Sequence, residues 1–533
     1  MKIVTSAQMR ALDTWAMSVV RIPGVVLMEN AGQAITQHFL SYWDKPAGKA
    51  VVVAGKGNNG GDGAVVARRL VDEGWSVQVL LCAERAQLSG DALVQFEFLE
   101  KLGISTVEVS NAPAFRQVEN EVIEADLVVD ALLGTGATNN LSLFFRDVVH
   151  VINQSSGFRL AVDLPTGVCA DTGRILGDAV RANLTVTCAY LKHGLLQYPG
   201  AEYAGVVKVA YVGIPRQGVH HLGVVDSVFR EEELPALLPP RRSESHKGNH
   251  GHVLVVGGSR GKAGAALLTA TGALRSGAGL VTVGTFPEVC TSLEGRVPEV
   301  MVEGIDLSDR AEPRQGSVLN TGGAKPFDKS LFDLLHRKSV VVVGPGLGVS
   351  TVVDDLVHML LRSCRVPIVL DADALNVLQA DIGACSQASG RTVLLPHPGE
   401  ASRLLGERVE EIQENRPFFA RKLAQLANSY VVLKGARTIV AAPHGNLRVV
   451  LAGNSVLATG GSGDVLAGVV ATMIAQLGLS LDVVALAVHL HGSAADKILK
   501  TKGDRGILAS EIAAELPAVF AAVMELVAPV RQF

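Results

Sequence analysis

The sequence predicts an α/β protein made of two α/β sandwich domains, each a mainly parallel sheet covered by helices. Three observations carry that expectation. Short Val/Ala/Leu-rich runs recur along the chain and end in glycine-containing loops, with 56 glycines in all; strands buried on both faces and alternating with helices leave this pattern. The 533 residues exceed what one hydrophobic core serves. Finally, residues 213–245 break the composition with prolines, the acidic run Glu231–Glu233 and the pair Arg241–Arg242, and beyond them the strand–loop–helix pattern restarts. The expected division is 1–225 for the first domain, 226–245 for a linker and 246–533 for the second domain.

Composition excludes several classes. A net charge of −4 argues against nucleic acid or an anionic membrane as the main partner. The opening MKIVTSAQMRALD lacks the apolar core of a signal peptide. The most apolar tract, 465–490, is interrupted by Gln476, Gly478, Asp482 and His489, which suits two buried helices better than a membrane span of about 20 residues. Six scattered cysteines without a CxxC pair point to reduced thiols in a cytoplasmic protein, not to zinc or a disulfide framework.

In chain order, Thr5 and Gln8 have the spacing of a capping box that opens a helix carrying Met9, Leu12 and Met17. A strand at 50–54 runs into the loop GKGNNGGDG (55–63), followed by a helix from Ala64 and a strand at 77–82, one βαβ unit. The loop contains a formal dinucleotide fingerprint, Gly55-x-Gly57-x-x-Gly60. Asn58, Asn59 and Asp62 would crowd a pyrophosphate and better suit a hydrated ligand or a hard cation; a purely structural Gly/Asn turn is the plain alternative. Strand 127–131 carries Asp130 and leads to Gly134-Thr135-Gly136. Strand 160–162 leads to Asp163, Thr166 and Gly167. Each aspartate alone could be a turn former, but ligands sit beyond the carboxyl ends of strands in open α/β sheets, so three such loops converge on one crevice. Lys192, after a strand at 184–188, reads equally as a snorkelling surface lysine or as one tuned for proton transfer.

In the second half, strand 252–256 precedes GGSRGKAGAA, whose spacing is wrong for a Walker A loop. Strands at 340–343, 368–370, 393–395 and 431–433 lead respectively to Gly344–Gly348, Asp371–Leu375, Pro396–Glu400 and Lys434–Thr438. The last motif, ATGGSGDVLAG (458–468), sets small residues 460–463 before Asp464 and an apolar helix. Asp464 could be an ordinary helix cap. Four small residues ahead of it exceed what a cap needs and favour an anion site at a helix start.

These motifs resemble a known family. GKGNNGGDG, GTG and DLPTG resemble the NAD(P)H-hydrate epimerase domain. HKGNHGHVLVVGGS, GPGLG, DADAL, PHPGE and ATGGSGDVLAG resemble the NAD(P)H-hydrate dehydratase domain of the ribokinase-like superfamily. Their order resembles that of the bifunctional NAD(P)H-hydrate repair enzymes. The resemblance implies a Rossmann-like domain followed by a ribokinase-like one. It implies repair of hydrated NADH and NADPH: epimerisation of the R and S hydrates, then ADP-dependent dehydration of the S form to NAD(P)H, AMP and phosphate.

By residue, the resemblance implies that Asn58, Asn59, Gly60, Gly61 and Asp62, with Gly134, Thr135, Gly136, Ala137, Thr138, Asn139 and Asn140, hold the hydrate in the first domain. Asn59, Asp130 and Thr166 would hold a potassium ion, and Asp163 and Lys192 would be the acid–base pair. In the second domain Asp464 would be the catalytic base. Lys434, Gly435, Ala436, Arg437, Thr438 and Gly463 would bind the adenylate, and Ala265, Gly346 and His397 the hydrate. Glu400 would position Mg²⁺ through water; His397 stands where superfamily relatives carry Asn. A homo-oligomer is also implied. The rival readings are a ribokinase-type small-molecule kinase fused to a dinucleotide-binding domain, and a dinucleotide sensor without chemistry.

Overall fold

A computed structural model describes residues 1–305, 331, 333–388 and 390–527. Contacts divide the chain between Asp226 and Ser227 into two units. In the first unit, strands β2 (Lys49–Ala54), β3 (Ser76–Leu81), β4 (Ser105–Glu108), β5 (Leu127–Ala131), β6 (Phe158–Val162), β7 (Leu184–Cys188) and β9 (Val206–Ala210) form one sheet in the order β4-β3-β2-β5-β6-β7-β9. Every pairing in it is parallel. Side chains alternate across a strand, so Ala50, Val52 and Ala54 enter the core on one face while Val51 and Val53 enter the core on the other. That double burial is why β2 reads as an unbroken apolar run.

Helices α1 (Ser6–Ser18), α2 (Gly24–Leu40) and α3 (Asn58–Asp72) contribute to the first of these cores. The Thr5/Gln8 capping box forms as the spacing predicts, with Met9 and Leu12 buried, whereas Met17 is exposed. A separate two-residue strand, β1 (Ile3–Val4), pairs in parallel with β8 (Leu191–Lys192), aligning Val4 with Lys192.

One expectation is corrected here. GKGNNGGDG is not a loop followed by a helix at Ala64: α3 starts at Asn58, inside the glycine run. Gly60 is required by the close approach of the chain, because a Cβ there would lie 1.8 Å from the carbonyl oxygen of Gly55. The glycines that resemble loop residues therefore seat the helix start against the end of β2.

In the second unit the strands are β10 (Ser227–Val228), β11 (His252–Val256), β12 (Leu280–Thr285), β13 (Val300–Gly304), β14 (Val340–Val343), β15 (Ile368–Leu370), β16 (Thr392–Leu394), β17 (Tyr430–Leu433), β18 (Ile439–Ala441) and β19 (Leu447–Val449). Among the described residues they form one sheet in the order β10-β19-β18-β17-β16-β15-β14-β11-β12-β13, with β18 antiparallel to both its neighbours. The stretch 226–245, expected as a linker, carries elements of this unit: β10 pairs with β19, and Leu234 and Leu238 enter its core.

The two helices expected within 465–490 are Ser462–Leu477 and Leu481–Lys502. The first packs on the Ala263–Arg275 helix so closely that a Cβ on Gly468 would meet the Thr269 carbonyl oxygen at 2.1 Å. No described helix is long and apolar enough to cross a membrane.

Candidate active sites

Within each sheet the chain order reverses between parallel strands, at β2 and β5 in the first and at β11 and β14 in the second. Crevices at such switch points are where open α/β sheets place ligands.

In the first unit a cavity of about 720 Å³ opens at this point. Asn58, Asn59, Asp62, the segment Gly134–Ala137, Asp163 and Lys192 all line it. Gly60 and Gly61 are buried within α3 behind that surface, and Thr138, Asn139 and Asn140 are exposed, where the chain turns outward to bond Leu141 N–H to the Leu176 carbonyl. The opposing apolar wall comes from helices that the loop motifs do not announce, through Met9, Met17, Leu27 and Met28.

Asp163 sits in the left-handed region at φ 66°, a conformation that aspartate adopts more readily than most residues. Three donors converge on its Oδ1: Lys192 Nζ at 2.5 Å, Thr187 Oγ1 at 2.9 Å and Cys188 N–H at 3.0 Å. Lys192 is fully buried and also donates to Thr187 Oγ1 and the Cys188 carbonyl. That resolves the two readings of Lys192: it is not a snorkelling surface lysine. Its register beside Val4 holds it there.

Beneath the cavity, Asp130 accepts from Thr166 Oγ1 at 2.6 Å and Thr166 N–H at 2.7 Å, and Leu133 N–H donates to Thr166 Oγ1. Burial pushes the Asp130 carboxyl up to about 6, against the pull of its Thr166 bonds. The Asn59 side-chain nitrogen is buried without a partner among the described residues. The Asp130 carboxylate, the Thr166 hydroxyl and the Asn59 amide oxygen are the oxygen donors that suit an alkali cation; the Asn59 nitrogen, a hydrogen-bond donor, is not one of them.

The same cavity holds a carboxyl that the motifs missed, beside Asp62, which they named. Asp13, on α1, is pushed up to about 6, chiefly by burial, with Lys192 lowering it and Asp163 raising it. Burial drives Asp62 well above the ordinary carboxyl range, and Asp163 and Asp13 push it further.

In the second unit the strand ends bring Asp371, His397, Lys434 and Asp464 together. Lys434 Nζ lies 2.8 Å from Asp371 Oδ1 and 3.7 Å from Glu400 Oε2. Burial opposes its charge, but Asp371, Glu400 and Asp464 outweigh burial and hold it protonated. Asp464 is the third residue of the Ser462–Leu477 helix, which is capped by Gly461 in a left-handed conformation, with no side-chain cap bond. The plain capping role for Asp464 is therefore excluded. Its carboxyl is pushed up to about 7 by burial first, then by Asp371, with Lys434 opposing. The N–H groups of Gly463 and Asp464 lie in the first turn, where a helix leaves its donors unpaired and its dipole positive.

His397 caps the Pro398–Leu405 helix: its Nδ1 accepts from Gly399 and Glu400 N–H, while its own N–H donates to Glu400 Oε2 at 2.7 Å. Gly346 and Ala265 adjoin, since a Cβ on Gly346 would lie 3.0 Å from Ala265 Cβ. In the Lys434–Thr438 turn, Gly435 and Arg437 both have positive φ. The turn is held from below by buried Arg416, which donates to the carbonyls of Leu433 (3.0 Å), Lys434 (3.3 Å), Ala436 (2.5 Å) and Arg437 (3.4 Å). Sequence reading passed over Arg416 because nothing in NRPFFARK marks it as buried.

A family described as NAD(P)H-hydrate dehydratase matches residues 253–518, and one described as YjeF-related protein N-terminus matches residues 24–194. The chain is 39% identical over 525 residues to the bifunctional NAD(P)H-hydrate repair enzyme Nnr of Moorella thermoacetica, covering 97% of this chain and 96% of that one. It is 37% identical over 527 residues to the enzyme of the same name from Thermofilum pendens, covering 98% and 97%. Among solved structures, the ADP/ATP-dependent NAD(P)H-hydrate dehydratase from Bacillus subtilis co-crystallized with ATP/Mg²⁺ is 30% identical, covers 56% of this chain and 99% of its own, and superposes with a TM-score of 0.46.

Proposed function

The chain belongs to the bifunctional NAD(P)H-hydrate repair enzymes, and from that premise we propose how its residues divide the two reactions. The first unit interconverts the R and S hydrates, and the second dehydrates the S form at the cost of ADP. The observation that carries the second assignment is the Asp464 carboxyl, close to neutral in pKa and seated in the first turn of a helix beside Lys434.

In the second unit Asp464 takes the proton from the hydroxyl on C6 of the nicotinamide ring as that oxygen attacks the β-phosphorus of ADP. The first-turn N–H groups of Gly463 and Asp464 and the Lys434 ammonium stabilise the charge on the transferring phosphoryl group. AMP leaves. Phosphate then departs from C6 as the N1 lone pair moves in, and loss of a C5 proton restores the ring double bond. The Lys434–Thr438 turn and Gly463 hold the adenylate, and Gly346, Ala265 and His397 the hydrate. The four carboxyls of Asp371, Asp373, Glu400 and Asp464 outnumber the two ammonium groups beside them, Lys434 near Asp371 and Lys262 at 3.4 Å from Asp373, which fits Mg²⁺ arriving with the nucleotide, with Glu400 positioning it.

In the first unit Asp163 and Lys192 handle the proton of the C6 hydroxyl. Three bonds engage Asp163 Oδ1, which leaves Oδ2 for the substrate. Asn59, Asp130 and Thr166 would hold potassium, which would balance the Asp130 charge beneath the cavity. A homo-oligomer in the cytoplasm completes the proposal.

The test is direct. The purified chain is given mixed R and S hydrates of NADPH, and the absorbance of reduced nicotinamide is followed. Recovery that requires ADP and consumes both epimers is expected. Transfer of phosphate to a stable product without recovery would favour a kinase instead.

A further inference from the structure

The wall of the first cavity formed by α1 carries a charged group that the pairing of Asp163 with Lys192 does not use. Met9, Asp13 and Met17 recur at four-residue spacing, which puts them on one helical face, and all three line the cavity. The helix is fixed there at its start. Pairing of β1 with β8 aligns Ile3 and Val4 with Leu191 and Lys192, and the N–H and hydroxyl of Ser6 bond to the Asp171 carboxylate at 2.6 and 2.8 Å. The segment that carries Asp13 is thus tied to the strand that carries Lys192.

Inversion at C6 makes a demand beyond the hydroxyl proton that Asp163 and Lys192 handle. C6 of the hydrate bears both a hydroxyl and the ring nitrogen N1, so the C6–N1 bond can open without an oxidant. A base takes the hydroxyl proton, the O–H electrons form the C6 aldehyde, and the C6–N1 pair moves onto N1, which takes up a proton. The aldehyde turns about C5–C6. N1 then attacks its other face, giving its proton back as the oxygen recovers one. No atom or electron is gained or lost. The sequence needs one proton carrier at the oxygen and a second at N1.

We propose that Asp13 is that second carrier, giving its proton to N1 while Asp163 takes the hydroxyl proton, and reversing the roles on ring closure. The proposal rests on the epimerase reading of this cavity. The titratable and charged groups that line the cavity with Asp13 are Arg10 on its own helix, Lys56 ahead of α3, Asp62 on α3, Cys82 after β3, Asp91 on the Gly90–Lys101 helix, Asp163 beyond β6, Cys188 at the end of β7 and Lys192 on β8. Burial pushes the Asp13 carboxyl up to about 6, so it is mainly the acid below that pH and about a tenth of it still carries the proton at pH 7. A donor at N1 must be protonated, so epimerisation slows as pH rises beyond that value.

The experiment uses the full chain without ADP, supplied with pure S hydrate, and measures initial formation of the R hydrate by chromatography. Asp13→Asn is expected to lower kcat for epimerisation by about 100-fold with KM changed less than about threefold, and to abolish the alkaline limb of the kcat–pH profile. Asp13→Glu is expected to retain activity with that limb displaced. Dehydration of the S hydrate with ADP should be unchanged in both variants, and an unaltered thermal unfolding profile reports an intact first unit. A kcat for Asp13→Asn within about threefold of the parent, or an alkaline limb common to both, would overturn the proposal. Should Asp13→Asn fail to fold, an undisplaced limb in Asp13→Glu overturns it equally. Loss in Asp163→Asn alone removes Asp13 only; no loss in either variant removes the epimerase reading itself.

Discussion

The two sites use the same raw materials in opposite proportions. Both set a buried lysine against aspartates at the carboxyl edge of a parallel sheet. In the first unit Lys192 has no exposed surface and bonds to Asp163, Thr187 and Cys188 at once. In the second, Lys434 keeps part of its side chain accessible and faces Asp371, Glu400 and Asp464 beside a helix start. A reaction that only relocates protons asks for a locked network under an apolar lid. A reaction that moves a phosphoryl group asks for a cation and free N–H donors that a charged ligand can reach. The difference in lysine burial separates the two chemistries more clearly than the aspartates do.

The strongest way to break this comparison is Asp464→Asn. It should slow ADP-dependent dehydration by about 10³-fold while R-to-S conversion keeps its rate; equal loss of both would mean that the sites are not separate. Next comes Asp163→Asn, expected to cut epimerisation about 100-fold and to leave dehydration of purified S hydrate intact. Because the hydrates interconvert slowly unaided, only initial rates decide.

Arg416→Met probes the support under the nucleotide turn. Removing a buried guanidinium that donates to four carbonyls should cost about 2–4 kcal/mol, visible as a lower Tm, and should raise KM for ADP about tenfold with little change in kcat. The pH profile is a gentler test. Asp464 acts as a base only when ionised, and its pKa is pushed up to about 7, so dehydration should fall as pH drops through that value and level off above it. Asp464→Asn should flatten what remains. The smallest effect is potassium. Exchanging it for tetramethylammonium should destabilise the first unit by ~1.4 kcal/mol when the ion had been present at about ten times its dissociation constant, and Thr166→Val should erase the difference.

Much of this was legible before any coordinates. Strands 127–131, 184–188, 252–256, 340–343 and 368–370 fall where their apolar runs place them, because a strand buried on both faces has no polar alternation to blur its limits. Helix starts were harder. Asn58 and Ser462 open helices within glycine runs that look like loops: Gly60 is there for close backbone approach to Gly55, and Gly461 for the left-handed cap. The hairpin β18–β19 went unread, although Pro443, His444 and Gly445 between its strands are turn-forming; attention to the preceding Lys434–Thr438 turn hid it.

Site residues divide in the same manner. Those at strand ends announce themselves by Asp, Asn and Gly in short motifs. Asp13 does not, because a charge on an amphipathic helix looks like a solvated face until the cavity beside it is known. Arg416 is hidden for the opposite reason: its role is to bond carbonyls, which every residue possesses.

The pairing of β1 with β8 reaches beyond catalysis. Ile3 and Val4 are synthesised long before Leu191 and Lys192; at about 5–20 residues per second the wait is roughly 10–40 s. During that interval the buried side chain of Ile3 has no strand to join, and α1 has no anchor beside the nascent sheet. The first cavity can therefore close only after nearly the whole unit has left the ribosome. Extensions or deletions near residues 3–6 should disturb the birth of the epimerase site while the second unit, made later, folds as before.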